Sequence, residues 1–408
     1  MTAGPPEPDS AGLTPGDLTP PPDLTPAQRR AGLVVAMLCI AVAAFALGLT
    51  LPLIALLLEG RGYSSTAIGI NSAMAPLAIL ISSPFVPRWI ARYGAKRFIL
   101  FCIACSGLLL LAFKPLDSYA VWLVLRFLNG ITIAGLFVGS ESWINQVAEP
   151  RTRTRTMAVY NIVLSAGFAS GPLILGAIGV DGWLPFLLGS AVMGIATLPM
   201  IFVPVVAPVF DGKPSFSVWT YALVAPTLAG ALLLYAMIEN STSSLISVFG
   251  RHSGLDDAPA LALLSTVILG GVVFAWPVGW LGDRMDKIRL MMVLAGVGAV
   301  GALSLPFLVD APVLRGAVLF VWGGAGASLY TLAMALQGER FQGSDLVTAN
   351  AAYGVLYGMG SLAGPAITGV AMDLDDPNGY AWTMATICCV FLVFTFIRQR
   401  LKRRGGAF

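Results

Sequence analysis

Long apolar stretches separated by short polar connections dominate the chain from residue 31 to residue 397. A helix needs about 20 apolar residues to cross a bilayer, and twelve stretches come close to or exceed that length. They lie near 31–58, 65–87, 97–114, 119–144, 156–180, 183–206, 217–246, 258–281, 288–309, 312–337, 344–372 and 379–397. The pattern predicts an all-α polytopic membrane protein with twelve transmembrane helices and no connection large enough for a soluble domain.

The two ends of the chain depart from this pattern. Residues 1–28 hold eight prolines and almost no large apolar side chains, so we expect a disordered cytoplasmic tail. They lack the basic start and short apolar core of a secretory signal peptide. The twelve stretches divide into a bundle at 29–206 and a bundle at 217–397, with a short cytoplasmic linker at 207–216 and a basic cytoplasmic tail at 398–408.

The composition fits a membrane protein, since 57% of the residues are hydrophobic and only 11% are charged. With the N-terminus placed in the cytoplasm, nineteen of the 24 Lys and Arg residues fall on the cytoplasmic side and four on the opposite side. This bias predicts a multi-pass protein of the cytoplasmic (inner) membrane with both termini inside. It also explains the mild positive charge without a nucleic-acid partner.

An internal repeat divides the chain into two halves. The segment MAVYNIVLSAGFASGPLILGAIG (157–179) aligns with NAAYGVLYGMGSLAGPAITGVAM (350–372) at a shift of 193 residues. The shift takes the fifth apolar stretch onto the eleventh, six stretches later. Two homologous halves of six helices each are typical of transporters with a central site between the halves.

One loop carries a recognisable motif. GWLGDRMDKIR (279–289) contains Gly279, Asp283 and Arg284, and a weaker copy after the second stretch keeps Gly94, Lys96 and Arg97 but has Ala91 at the aspartate position. With this loop, residues 30–400 resemble the major facilitator superfamily of secondary transporters. The resemblance implies two pseudo-symmetric six-helix bundles and a cytoplasmic gate at these residues. The alternative is that the basic residues only set the topology.

Arg126 lies among apolar residues in LVLRFLNGITIAG (123–135). A buried guanidinium at the membrane centre costs roughly 2.5 kcal/mol or more, so it needs a water-filled cavity and a partner. Arg126, Asn129 and Gly130 resemble the fourth-helix motif of the superfamily, where this helix lines the central cavity. The resemblance implies that Arg126 binds an anionic or carbonyl group of the solute, or influences a proton-carrying carboxylate. The alternative is a structural arginine satisfied by backbone carbonyls.

Other polar residues of the apolar stretches are candidates for the same cavity. Glu239 is predicted in the outer half of the seventh stretch, at a depth similar to that of Arg126, as a proton carrier; the alternative is a carboxylate in interfacial water. Polar and amphipathic candidates for the lining are Asn71, Trp143, Tyr160, Asn161, Tyr235, Asn240, Trp322, Tyr330, Asn350, Tyr353 and Tyr357. The repeat favours Tyr160 and Tyr353 because it pairs them.

Glycine and proline recur at matching places in the fifth and eleventh stretches, as Gly167, Gly171 and Pro172 and as Gly360, Gly364 and Pro365. The first set resembles a fifth-helix motif that the superfamily associates with export, although the spacing after the proline departs from it. Small residues permit close helix packing and proline bends a helix. We therefore predict hinge and packing positions, and only weak evidence for export.

Several chemistries find no support in the sequence. The five cysteines lie in apolar stretches and form no zinc set with the single histidine, His252, which we expect in a solvated loop. No Walker motif is present, and we predict neither a cofactor nor a metal nor an enzyme.

The prediction is a monomeric secondary active transporter of a small organic solute that works by alternating access. Proton coupling is open, as are drug or metabolite efflux and uptake of a vitamin such as riboflavin. Arg126 favours neutral, aromatic or anionic solutes over cations. The alternatives are a non-transporting membrane sensor or assembly component and a membrane-embedded enzyme.

Overall fold

The structure is a computed structural model that describes residues 25–147, 153–202, 223–341 and 343–404. These ranges are helical and contain no strand. The helices are α1 (Pro26–Gly60), α2 (Ser65–Ser82), α3 (Val86–Tyr93), α4 (Ala95–Ala112), α5 (Tyr119–Val147), α6 (Arg153–Ile178), α7 (Leu184–Phe202), α8 (Pro226–His252), α9 (Asp257–Gly282), α10 (Lys287–Ser304), α11 (Pro312–Arg340), α12 (Gly343–Leu374) and α13 (Gly379–Arg404). The predicted linker at 207–216 lies outside the described residues.

Eleven of these helices are long and apolar enough to cross a membrane. In α7 the apolar part within the described residues, Leu184–Ile195, is shorter, and α3 is a short helix that the sequence did not predict. The polytopic all-α fold is thereby confirmed, whereas the count of twelve transmembrane helices stays a prediction.

Some helix ends differ from the bounds of the apolar stretches. Thr25 and Gln28 form a capping box before the first apolar residue, so α1 starts inside the predicted tail. Pro226 occupies the first position of α8, while residues 217–222 of the predicted stretch lie outside the described residues. The predicted basic tail is helical as far as Arg404.

The same helix pairings occur in both halves of the chain. In the N half (α1–α7), α1 packs against α6, α2 against α5, and α4 against α7. In the C half (α8–α13), α8 packs against α12, α9 against α11, and α10 against α13. The halves contact each other mainly through α2 with α12 and α6 with α9, as the internal repeat predicts for two pseudo-symmetric bundles.

The repeated glycines lie at the crossings within each half. A Cβ atom on Gly167 or Gly171 would overlap the backbone of α1, and one on Gly360 or Gly364 would overlap the backbone of α8. Pro172 and Pro365 lie inside α6 and α12. These helices therefore approach each other as closely as backbone atoms allow, which only glycine permits.

Candidate functional site

Charged residues join the two halves at one end of the molecule, here called the Arg251 end. Arg251, near the end of α8, donates a hydrogen bond to the carboxylate of Glu59 at the end of α1 and another to the Leu56 carbonyl, at 3.0 Å. It also donates from Nε to Asp257 of α9 at 2.6 Å. One guanidinium thus connects the N half to two helices of the C half.

Two further contacts join the halves at the same end. Asp373 of α12 accepts hydrogen bonds from the backbone N–H groups of Ser65 at 2.7 Å and Thr66 at 2.9 Å, where the N-terminus of α2 favours a negative charge. The ring of His252 contacts Asp376 at 2.5 Å and lies 3.8 Å from Glu59. The expectation that His252 is a solvated loop residue is therefore wrong, because α8 extends to this residue.

At the opposite end, the Asp283 end, the motif residues contact their own half. Arg284 lies over the Trp280 ring at 3.8 Å and donates to the carbonyl of the same residue, while Asp283 is exposed. Lys287, the first residue of α10, pairs with Glu339 of α11 at 2.8 Å. Between described residues, ion pairs that join the halves occur at the Arg251 end and none occurs here.

The residues of the weaker copy of the motif also make their contacts with their own half. Gly94 forms the turn between α3 and α4 with a φ of 81°, a conformation that favours glycine. Lys96 donates to the Ile201 carbonyl at the end of α7 at 3.1 Å. Arg97 is exposed, whereas Gly279 of the other copy is half-buried. The gating role of these residues stays a prediction.

Replacing Arg251 with alanine is expected to open the Arg251 end more often, since Glu59 and Asp257 lose their shared cation. Loss of about 1–2 kcal/mol of stabilisation of the closed state by this partly buried contact would lower the ratio of closed to open molecules by roughly 5- to 30-fold. Spin labels at Leu116 and Leu374, in a variant without other cysteines, would report the separation of the halves. Arg61→Ala is the matched control, because Arg61 pairs with Asp117 of its own half; equal effects of both variants would contradict the prediction.

Arg126 is enclosed in the N half. Its side chain is 1% exposed, and none of its three guanidinium nitrogens has a hydrogen-bond partner among the described residues. Gly130, one turn further along α5, packs directly on α2. A Cβ atom added to Gly130 would lie 2.5 Å from the carbonyl oxygen of Ala75. Because α2 and α5 run in the same direction, Arg126 is level with Asn71, whose amide nitrogen is also buried without a partner. Within the described ranges, no backbone carbonyl accepts a hydrogen bond from this arginine, as the structural alternative would require.

Asn129 shares this region but faces a different neighbour. Its amide nitrogen donates to the Ser106 hydroxyl of α4 at 3.0 Å, and its carbonyl oxygen is buried without a hydrogen-bond partner. Asn129 thus anchors α5 to α4 and leaves one acceptor unused.

Glu239 lies in the middle of α8, not in its outer half as predicted, because the helix continues to His252. The side chain is half-buried, and Oε2 accepts a hydrogen bond from the Tyr357 hydroxyl of α12 at 2.5 Å. Tyr235, one turn earlier on α8, also lies beside this carboxyl group. The neighbouring Asn240 donates to the Ser361 hydroxyl at 2.7 Å.

Four tyrosines of three helices form a series of ring contacts that begins beside this carboxyl group. Ring centroids are 5.3 Å apart for Tyr235 and Tyr330, 6.4 Å for Tyr235 and Tyr357, and 5.6 Å for Tyr330 and Tyr353. We call these four residues the tyrosine cluster; all are half-buried. Tyr160, which the repeat pairs with Tyr353, is instead buried at 2% exposure in the N half, so the repeat matches positions but not surroundings.

Close backbone contacts place Glu239 and Arg126 at nearly the same depth. Gly364 of α12 packs on Met237, two residues before Glu239, and the next residue of α12 packs on Gly69 of α2. Arg126 is level with Asn71, two residues beyond Gly69 on α2. The two charged residues therefore lie within about one helical turn of the same level, in opposite halves, and no ion pair joins them.

Sequence reasoning missed the contacts at the Arg251 end and the grouping of the tyrosines. Glu59 and Arg251 are 192 residues apart in the chain, and Glu239 and Tyr357 are 118 residues apart. The repeat relates equivalent helices and carries no information about these non-equivalent partners. Within the described residues, no group of three or more potential ligands could hold a metal ion.

Comparisons with known proteins agree with this architecture. The chain is 22% identical over 370 residues to the uncharacterized MFS-type transporter YfkF of Bacillus subtilis (strain 168), covering 88% of this chain and 93% of that protein. It is 25% identical to an uncharacterized MFS-type transporter of Enterobacter sp. (strain 638), covering 87% and 91%.

Solved structures share the fold at low sequence identity. A bacterial homologue of the human lysosomal transporter Spinster, in an inward-facing and occupied conformation, has a TM-score of 0.72 at 14% identity and covers 93% of this chain and 98% of that one. The nucleoside transporter NupG has a TM-score of 0.71 at 14% identity, covering 90% and 96%. The model of the Major Facilitator Superfamily matches residues 36–336. The chain therefore belongs to the Major Facilitator Superfamily of secondary transporters.

Proposed function

We propose that this transporter moves a small organic solute across the cytoplasmic membrane by alternating access, and that the solute binds between Arg126 and Glu239. The observation that carries the proposal is the guanidinium of Arg126, which is buried without a hydrogen-bond partner in the part of the chain that the structure describes. A charge at this depth costs about 2.5–3.5 kcal/mol when nothing offsets it. An anionic or carbonyl group of the solute is the partner that would offset it.

The contacts at the two ends of the molecule support a transport cycle of alternating access. Ion pairs join the halves at the Arg251 end, whereas the described residues provide none between the halves at the Asp283 end. With both termini in the cytoplasm, as the charge bias predicts, this state would open to the cytoplasm. The contacts made by Arg251 and Asp373 would then break when the transporter opens to the outside, and Asp283 and Arg284 would take part in closing the inside.

Glu239 is the proposed proton carrier. Its carboxyl group is half-buried at the middle of a membrane helix, with the Tyr357 hydroxyl as a donor and, among the described residues, no cation paired with it. A carboxylate charge is unfavourable there, so gain or loss of a proton would accompany a change of the surroundings of Glu239 when the halves move.

A thermal-shift screen of the purified protein against metabolites, vitamins and drugs would identify the solute, because a bound ligand raises apparent stability by mass action. Proteoliposomes with an imposed pH gradient should then accumulate or release that solute. Glu239→Gln is expected to abolish the flux driven by the pH gradient while solute binding is retained. Glu339→Gln is the matched control, since Glu339 is exposed and pairs with Lys287 far from this site.

Two results would contradict parts of this proposal. Unchanged pH-driven flux in Glu239→Gln would exclude Glu239 as the proton carrier. Binding of a solute without any flux, under pH gradients of either direction, would favour the alternative of a membrane sensor that keeps the transporter fold.

A further inference from the structure

The ring of His252 lies between a carboxylate of each half at the Arg251 end. Nδ1 contacts Oδ1 of Asp376, in the connection from α12 to α13, at 2.5 Å. Nε2 lies 3.8 Å from Oε1 of Glu59, near the end of α1. His252 is the last residue of α8, so one side chain of the C half faces a carboxylate of its own half and a carboxylate of the N half.

The charge of the ring decides how it interacts with these two groups. A neutral imidazole has one N–H donor and one lone pair, whereas an imidazolium has two donors and a positive charge. Neutral His252 can therefore donate toward one carboxylate only, and its other ring nitrogen presents a lone pair to the second. The charged ring attracts both carboxylates. Protonation of His252 thus adds an attraction between the halves.

The elements that meet at His252 carry several other charged groups. These are Glu59, Arg61, Arg251, Asp256, Asp257, Asp373, Asp375 and Asp376. Arg251 pairs with Glu59 and Asp257, and Arg61 pairs with Asp117. Asp373 accepts from backbone N–H groups of α2, and Asp375 accepts from the Trp382 ring. Among the described residues, His252 is the basic side chain that pairs with Asp376.

We infer that His252 is a pH-sensitive contact that holds the Arg251 end closed when its ring is protonated. Histidine changes its charge between about pH 5 and 8. Acidification therefore increases the closed fraction, and a rise in pH decreases it. With the predicted topology this end faces the outside, so an acidic medium would keep the transporter open to the cytoplasm. The inference goes beyond the proposed function, because it needs neither Arg126 nor Glu239 nor a particular solute.

Distances between spin labels at Leu116 and Val313 would measure this equilibrium. Leu116 lies between α4 and α5 in the N half, Val313 lies at the start of α11 in the C half, and both are exposed. The full-length chain, in a variant without other cysteines, would be measured in detergent at about pH 7.5 and about pH 5.5. We expect the ratio of closed to open molecules to be roughly 1.5- to 5-fold higher at the lower pH, as for partly exposed ion pairs. The same measurement in Arg251→Ala covers the case in which the unmodified end is closed almost completely at both pH values.

Variants assign the pH response to named groups. His252→Gln keeps a donor and an acceptor but carries no charge, so its ratio should stay at the high-pH value throughout. His252→Arg is charged at both pH values and should stay at the low-pH value. Asp376→Asn should weaken the response. Asp375→Asn is the matched control and should keep it, because Asp375 contacts Trp382 and not His252. Melting temperatures would show that each variant is folded.

The outcomes separate this inference from the proposed function. Equal ratios at the two pH values in both the unmodified chain and Arg251→Ala would overturn the inference. A response that persists in full in His252→Gln would overturn it as well, and its loss in Glu239→Gln would then assign it to the proposed proton carrier. If no solute binds or moves while the response still depends on His252, the proposed function fails and this inference stands.

Discussion

Replacement of Arg126 by methionine is expected to raise the melting temperature of the protein and to abolish solute flux. Arg126 is 1% exposed, and its guanidinium has no partner among the described residues. Removing an unpaired charge from this depth removes a penalty of about 2.5–3.5 kcal/mol, while methionine fills similar space and packs adaptably. Flux is lost because the anionic group of the solute no longer has a cation to bind.

The opposite signs of the two effects make this a sharp test. Removing a structural residue lowers both the stability and the activity of the protein. Removing a binding residue that is itself destabilising lowers only the activity. Thermal unfolding of the purified variant and solute uptake by proteoliposomes are the two measurements. A lower melting temperature combined with normal flux would contradict the role of Arg126 in binding.

Arg315 is the matched control for this experiment. It is also buried in a membrane helix, at 7% exposure, but Nη1 donates to the Val309 carbonyl at 2.6 Å. Arg315→Met breaks a charge-assisted hydrogen bond and leaves the carbonyl without this donor, so we expect a lower melting temperature. Its position near the start of α11, away from Glu239 and Arg126, predicts normal flux.

Gly171→Ala is expected to produce the second large effect, a loss of about 1–3 kcal/mol in the free energy of unfolding. The added methyl group would overlap the backbone of Gly48 and Leu49 in α1. Backbone atoms cannot move aside as a flexible side chain can, so α1 and α6 must separate. Chemical or thermal unfolding in detergent would measure the change.

Gly176→Ala provides the control on the same helix. An added methyl group at Gly176 meets no atom within 4 Å, and alanine favours a helix over glycine by up to about 1 kcal/mol. We therefore expect unchanged or slightly higher stability. Equal destabilisation by both substitutions would mean that helix propensity, and not the crossing of α1 and α6, decides the effect. Gly364→Ala and Gly354→Ala repeat the comparison in the C half, where only Gly364 lies at a crossing.

The sequence by itself determined the membrane helices and their division into halves. Both are local properties: about 20 apolar residues suffice for a transmembrane helix, and the 193-residue shift is read directly from the chain. The repeated glycines were likewise identified before their contacts, because close crossings need small side chains wherever they occur. Arg126 was recognised as a functional candidate because a charge in hydrocarbon is costly in any fold.

Only the tertiary structure decided what surrounds these residues. It showed that the guanidinium of Arg126 has no hydrogen-bond partner among the described residues, that the carboxyl group of Glu239 contacts the Tyr357 hydroxyl, and that Arg251 joins the halves through Glu59. Each of these facts depends on helices that are distant in the chain and differ in kind, so neither the apolar pattern nor the repeat encodes them. Hydrophobic length is a property of one segment, whereas a partner for a buried charge is a property of packed helices, and packing alone brought these side chains together or kept them apart.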